Sequence, residues 1–109
     1  MHLNLENRAV KLILELVSSI RQGDGIKNPV FDELCSVLKE LKVSCAQSNT
    51  LSKRLAFHLT GLVCYPWIDM DLYKDDRRKA IQKACVTIRA LVDELLEYPG
   101  IETDTIEPQ

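Results

Sequence analysis

Four stretches of this chain repeat apolar residues at helical spacing: Leu5 to Ile20, Val30 to Leu41, Leu51 to Val63 and Ile81 to Leu96. Clusters of Pro, Gly, Asn and Asp separate them, the residues that end regular structure. The pattern predicts an all-α protein, an antiparallel four-helix bundle in a single domain. The bundle is expected over residues 1–98, followed by an acidic, flexible C-terminal tail over 99–109. Connections of about four to ten residues favour antiparallel neighbours. A chain of 109 residues can bury one such core without disulfides or metals.

The first helix is expected from Leu3 to Gln22. Its stripe of Leu5, Ala9, Leu12, Ile13, Leu16 and Ile20 is widened by Leu3, Val10, Leu14 and Val17. Such an arc exceeds the one-sided face of a surface helix. It calls for a central position among the other three, or for a homodimer through the wide apolar face of this helix. Gly23-Asp24-Gly25 supplies residues that accept positive φ at its end. Asn28-Pro29 then provides a cap and a first-turn proline for a second helix running to about Val43. Ser48-Asn49-Thr50 marks the next connection. The third helix is expected over Leu51 to Cys64, stopped by Pro66, with Tyr65 to Asp71 as an irregular connection. Phe57 projects from its far side, and Gly61 leaves room for close packing. Asp75 and Asp76 open the fourth helix at its positive dipole end, Val86 lies on its solvent side, and Pro99-Gly100 closes it. The predicted core is Leu12, Leu16, Leu34, Leu38, Leu55, Leu59, Leu62, Ile81, Ile88, Leu91 and Leu95.

The formal net charge of −2 argues against broad nucleic-acid binding, so no nucleic acid is expected as a partner. The charge is unevenly placed. From Asp93 onward there are six acids and no Lys or Arg, leaving 14 bases against 10 acids before it. Arg77, Arg78, Lys79 and Lys83 form the densest basic cluster, but adjacent helical positions diverge by about 100° and spread it over a solvated face. The N-terminus lacks the basic and apolar regions of a signal peptide, and no run approaches the ~20 apolar residues of a membrane span. No transmembrane segment and a cytoplasmic location are expected.

Cys35, Cys45, Cys64 and Cys85 are too widely spaced for a local zinc site, which wants closely set thiolate or imidazole ligands. They read as reduced core thiols. Neither histidine, His2 or His58, sits in a Glu-x-x-His pair of the kind that holds metals inside bundles. The acids Asp69, Asp71, Asp75 and Asp76 fail the calcium-loop register: counted from Asp69, the sixth position is Lys74 and the twelfth Ala80, where Gly and Glu are required. Gly23-Asp24-Gly25 lacks the Gly-Lys-Ser/Thr ending of a phosphate loop. No catalytic, cofactor-binding or metal-binding residue is therefore expected, no cofactor is called for, and nothing marks an enzyme.

The connection between the third and fourth helices is richer. Tyr65, Trp67 and Tyr73 are half of all the aromatic residues, and Ile68 and Met70 lie among them. Aromatic side chains give large contact area at low entropic cost. Tyr65, Trp67, Ile68, Met70 and Tyr73 are thus the candidate partner-binding residues, with the following acids as a polar rim. The competing role is a lid over the open end of the bundle.

Three segments carry a family resemblance. Phe31-Asp32-Glu33-Leu34-Cys35-Ser36-Val37-Leu38-Lys39, Leu51-Ser52-Lys53-Arg54-Leu55 and the Tyr73-Lys74-Asp75-Asp76-Arg77 start of the last helix resemble the enterocin A-type bacteriocin immunity proteins. In pattern the likeness spans Leu5 to Leu96; the four Cys, the Tyr-Pro-Trp segment and the acidic tail are not features expected of that family. The resemblance implies a cytosolic antiparallel four-helix bundle that protects through protein contacts, with the last helix and tail setting specificity. From the residues themselves, the expectation is a non-enzymatic binding or regulatory module whose partner is a protein of unknown identity. The alternatives are an immunity-type protector and a thiol-based metal or redox protein.

Overall fold

The computed structural model describes residues 3–45 and 50–96. Four helices account for nearly all of them: α1 (Leu3–Arg21), α2 (Asn28–Cys45), α3 (Lys53–Asp69) and α4 (Asp75–Leu96), with a short 3-10 turn at Met70–Leu72. The protein is an all-α four-helix bundle. The expected Ser48-Asn49 connection, the Pro99-Gly100 stop and the acidic tail lie outside the described residues.

The ends of the helices follow from local chemistry. Gly23, at φ 85°, closes α1. The Asp24 N–H donates to the Ser19 carbonyl at 2.9 Å and the Gly23 N–H to Ile20 at 3.1 Å, which satisfies carbonyls that a helix end leaves open. Helix α2 takes in Asn28 itself: the Phe31 N–H donates to the Lys27 carbonyl, so Asn28 stands in the first turn rather than as the cap. Ser52 caps α3, its hydroxyl accepting from the Leu55 N–H at 3.1 Å.

Helix α3 corrects the sequence reading most. It does not stop at Pro66 but runs through it to Asp69, so Tyr65 to Asp69 is helical and only Met70–Leu72 departs from the α form. Proline removes one helical hydrogen bond and disfavours the α conformation of its predecessor. Tertiary packing overrides both terms here. The Pro66 ring is buried in line with Leu55, Leu59 and Leu62. The Tyr65 ring is held between Gly61 and the Arg21 guanidinium, 4.5 Å above it.

Each helix reverses the direction of the one before, so α1 and α3 run the same way. Glu6 and Asn7 meet Ser52 and Arg54 at one end, and Arg21 meets Asp69 at the other. The main packing partners are α1 with α2 and α3, and α4 with α2 and α3. Helices α2 and α3 follow one another in sequence yet lie across a diagonal. The expected central position of α1 is therefore replaced by a corner: its wide apolar arc is shared between two neighbours, with Leu14 left outside.

The core holds the expected residues, from Leu12 and Leu16 through Leu34, Leu38, Leu55, Leu59 and Leu62 to Ile81, Ile88 and Leu95; Leu91 is only partly buried. Ion pairs fasten the corners: Arg8 with Glu33 between α1 and α2, and Lys42 with Glu94 at 3.2 Å between α2 and α4. Glu6 is 4% exposed and accepts from the Ser52 N–H at 3.3 Å, joining α1 to the cap of α3. No described helix is long and apolar enough to cross a membrane.

Candidate protein-docking surface

The five residues singled out from sequence divide into two groups. Met70 and Tyr73 are buried, whereas Tyr65, Trp67 and Ile68 are exposed on the last turns of α3.

Tyr73 is a staple. It is 3% exposed, and its hydroxyl donates to the Ile20 carbonyl and accepts from the Gly25 N–H, both at 2.8 Å. Ser19 donates to the Gly25 carbonyl at 2.8 Å, so both polar groups of Gly25 are held. Arg77 covers the Tyr73 ring at 4.9 Å and donates to the Gly23 carbonyl at 3.1 Å. Arg78 donates to Met70 and pairs with Asp71 at 3.0 Å. Half of the basic cluster on α4 is thus occupied in fixing the two connections at this end of the bundle.

Trp67 and Ile68 form a surface of a different kind. From Leu55 to Ile68 the chain carries no Asp, Glu, Lys or Arg. Leu55, Leu59, Leu62 and Pro66 spend one face of that run on the core. The other face remains outside: Phe57 is 74% exposed, Ile68 62% and Trp67 53%, and Cys64 lies between them. A helix segment with large apolar residues on two faces and no charge ordinarily belongs in an interior. This one occupies a corner, with no element of the described chain against its outer side.

Towards α4 the surface deepens. Val63, Cys64, Trp67 and Ile68 face Cys85, Val86 and Arg89 across a groove of about 430 Å³. Val86 is exposed on its wall, and Arg89, paired with Asp93 one turn along at 3.7 Å, supplies a charged rim. On the opposite side Tyr65 leaves the groove for α1, under Arg21, whose Nε also pairs with Asp69 at 3.1 Å. Tyr65 therefore orients the helix, and Trp67, Ile68 and Val86 carry the accessible apolar area. Sequence reasoning set Phe57 and Val86 on outward faces but did not join them to Trp67. The signal was a second apolar stripe half a turn from the first.

Cys64 is the exposed thiol of the four, and all four are free. Burial pushes the Cys35, Cys45 and Cys85 thiols above the ordinary range; at Cys35 nearby Lys39 opposes this in part, and at Cys45 the Glu6 carboxylate adds to it. Such thiols hold their protons and are poor nucleophiles. Among the described residues no three His, Cys, Asp or Glu side chains are grouped so as to hold a metal ion.

No family model, curated protein or solved structure matches the chain. Its surface chemistry is what speaks to its role.

Proposed function

We propose that this protein is a non-catalytic binding module that works through protein–protein contacts made by the outer face of α3 and its groove with α4. The observation that carries this is the uncharged run from Leu55 to Ile68, whose second face stays in solvent although the bundle has already used the first. Contiguous exposed apolar area of this kind marks interaction sites on soluble proteins. Its composition also fits an interface centre: an indole, a phenyl ring and branched aliphatics inside a rim that includes Arg89 and Asp71. The arc of α1 supports a contact less well. Its large exposed apolar residues, Leu3 and Leu14, stand far apart, with charged Lys11 and Glu15 beside Leu14.

Trp67→Ala tests the assignment. Trp67 is half exposed, so truncation should cost well under the ~3–5 kcal/mol of a core tryptophan, while removing an interface anchor should weaken association by ~2 kcal/mol or more. A variant that loses folding stability on the core scale and keeps its full association would place Trp67 in the core and leave the groove without a role.

A further inference from the structure

The outer face of α3 has an internal order that its apolar character alone does not require. Arg54, Phe57, Gly61, Cys64, Ile68 and Asp71 recur at alternating steps of three and four residues, the spacing of a coiled-coil seam. The seam runs from the first turn of α3 into the 3-10 turn that follows it. It lies half a turn from the buried stripe of Leu55, Leu59, Leu62 and Pro66.

The order is also self-complementary. Reverse the seam about a point between Leu62 and Val63, and Arg54 falls on Asp71, Phe57 on Ile68, and Gly61 on Cys64. The cation meets the anion, the two bulky apolar residues meet, and the two small central ones meet. Pairing in parallel would instead set Arg54 against Arg54 and Asp71 against Asp71. Both charged residues are exposed at the ends of the seam, as the rim of an interface requires.

We propose that the partner of this face is a second copy of the chain, docked with its α3 antiparallel about a two-fold axis beside Leu62 and Val63. The inference rests on reading the outer face of α3 as a protein-contact surface, and it names what that surface contacts. A two-fold interface requires one patch to complement itself, and this patch does so in charge and in size at every step. The contacts each end already makes leave capacity for the pairing. Arg54 donates one N–H to the Asn7 side chain at 2.9 Å, and a guanidinium has five. Asp71 accepts from Arg78 at 3.0 Å, with its side chain 86% exposed and further lone pairs open. Those contacts hold Arg54 towards α1 and Asp71 towards α4, and both side chains stay exposed. Near the axis stand the small, exposed Cys64 and the Tyr65 ring that covers Gly61, with Phe57 and Ile68 filling the space on either side.

Sedimentation velocity over a concentration series, on the full chain, tests the pairing. Wild type should show a concentration-dependent monomer–dimer equilibrium. Arg54→Asp and Asp71→Arg each place like charges opposite one another twice per dimer, and each should weaken it by roughly tenfold or more. The double reversal should restore most of the loss. Circular dichroism separates a lost contact from a lost fold, and a second measurement needs no seam charge variant: a short bis-maleimide should link wild-type chains through Cys64, and Cys64→Ser should abolish the link. A wild type that stays monomeric at the highest concentration overturns the pairing, as does a double reversal no tighter than the single ones. Single reversals that tighten the dimer overturn the antiparallel arrangement. A strict monomer whose Trp67 is still protected by a different protein would remove the self-pairing and leave the contact surface standing.

Discussion

Removing one oxygen atom, by Tyr73→Phe, should destabilise the whole bundle. The Tyr73 hydroxyl is buried and makes two hydrogen bonds of 2.8 Å to residues about 50 positions away in sequence. The two partners are not left equally. The Ile20 carbonyl keeps the Gly23 N–H as a donor at 3.1 Å, whereas the Gly25 N–H loses the acceptor it has in the structure. An unpaired buried amide costs roughly 1–3 kcal/mol, and the second lost bond about 1 kcal/mol, so a total of roughly 2–4 kcal/mol is expected. The ring itself stays, with Arg77 above it, so no cavity adds to this. Urea unfolding followed by far-UV circular dichroism reads the effect: at the slope usual for a small domain the midpoint falls by roughly 1–2 M with the slope unchanged. Adding Ser19→Ala, which frees the other side of Gly25, should give a non-additive double mutant. A loss below about 0.5 kcal/mol for Tyr73→Phe would show that the turn does not depend on the staple, and the aromatic segment would need another explanation.

Gly61→Ala should fail to deliver the ~1 kcal/mol that alanine ordinarily adds to a helix, because the new Cβ would lie 3.1 Å from the Tyr65 ring; repeated in a Tyr65→Ala background it should become stabilising, and thermal unfolding of the four variants checks the cycle. Thiol labelling of the folded chain near neutral pH should modify exposed Cys64 first, part-buried Cys35 and Cys85 more slowly, and buried Cys45 last; mass spectrometry of peptides decides, and labelling of Cys45 ahead of Cys64 would contradict it. The same three thiols have folded pKa values raised by burial, so the native state binds more protons than the unfolded one above the ordinary thiol range. Their contribution is complete below the ordinary thiol range and is lost as pH rises through and above it, so stability should fall there and fall less in a variant with Ser at all three.

The four helices were legible because each carries an unbroken apolar stripe. Leu34, Val37, Leu38 and Leu41 mark the buried side of α2 by spacing alone. What sequence did not disclose depends on contacts between distant residues. Pro66 reads locally as a stop, and only its burial with Leu62 and the clamping of Tyr65 by Arg21 let the helix continue. Nothing near Tyr73 signals that its hydroxyl is spent on a turn about 50 residues earlier, so it was grouped with Trp67 on aromatic character. Glu6 lies in the first turn of α1, yet it is buried against the start of α3, a contact that nothing in its local sequence signals. The outer seam was present in the sequence all along. It was hidden because the uncharged stretch from Leu55 to Ile68 satisfies the inward pattern and leaves the second stripe looking like redundancy.

Trp67 is the only tryptophan of the chain and stands on the proposed surface, so its fluorescence tests the central claim without a label. In the dilute chain, with the fold confirmed, its emission should be that of a solvated indole and acrylamide should quench it freely. As partner chains occupy the outer face of α3, the emission should shift to the blue and quenching should fall. Blue-shifted, protected emission already present at the lowest concentration and unchanged in an Ile68→Glu variant would show that Trp67 belongs to the core of the single chain and that the outer face of α3 is not a docking surface.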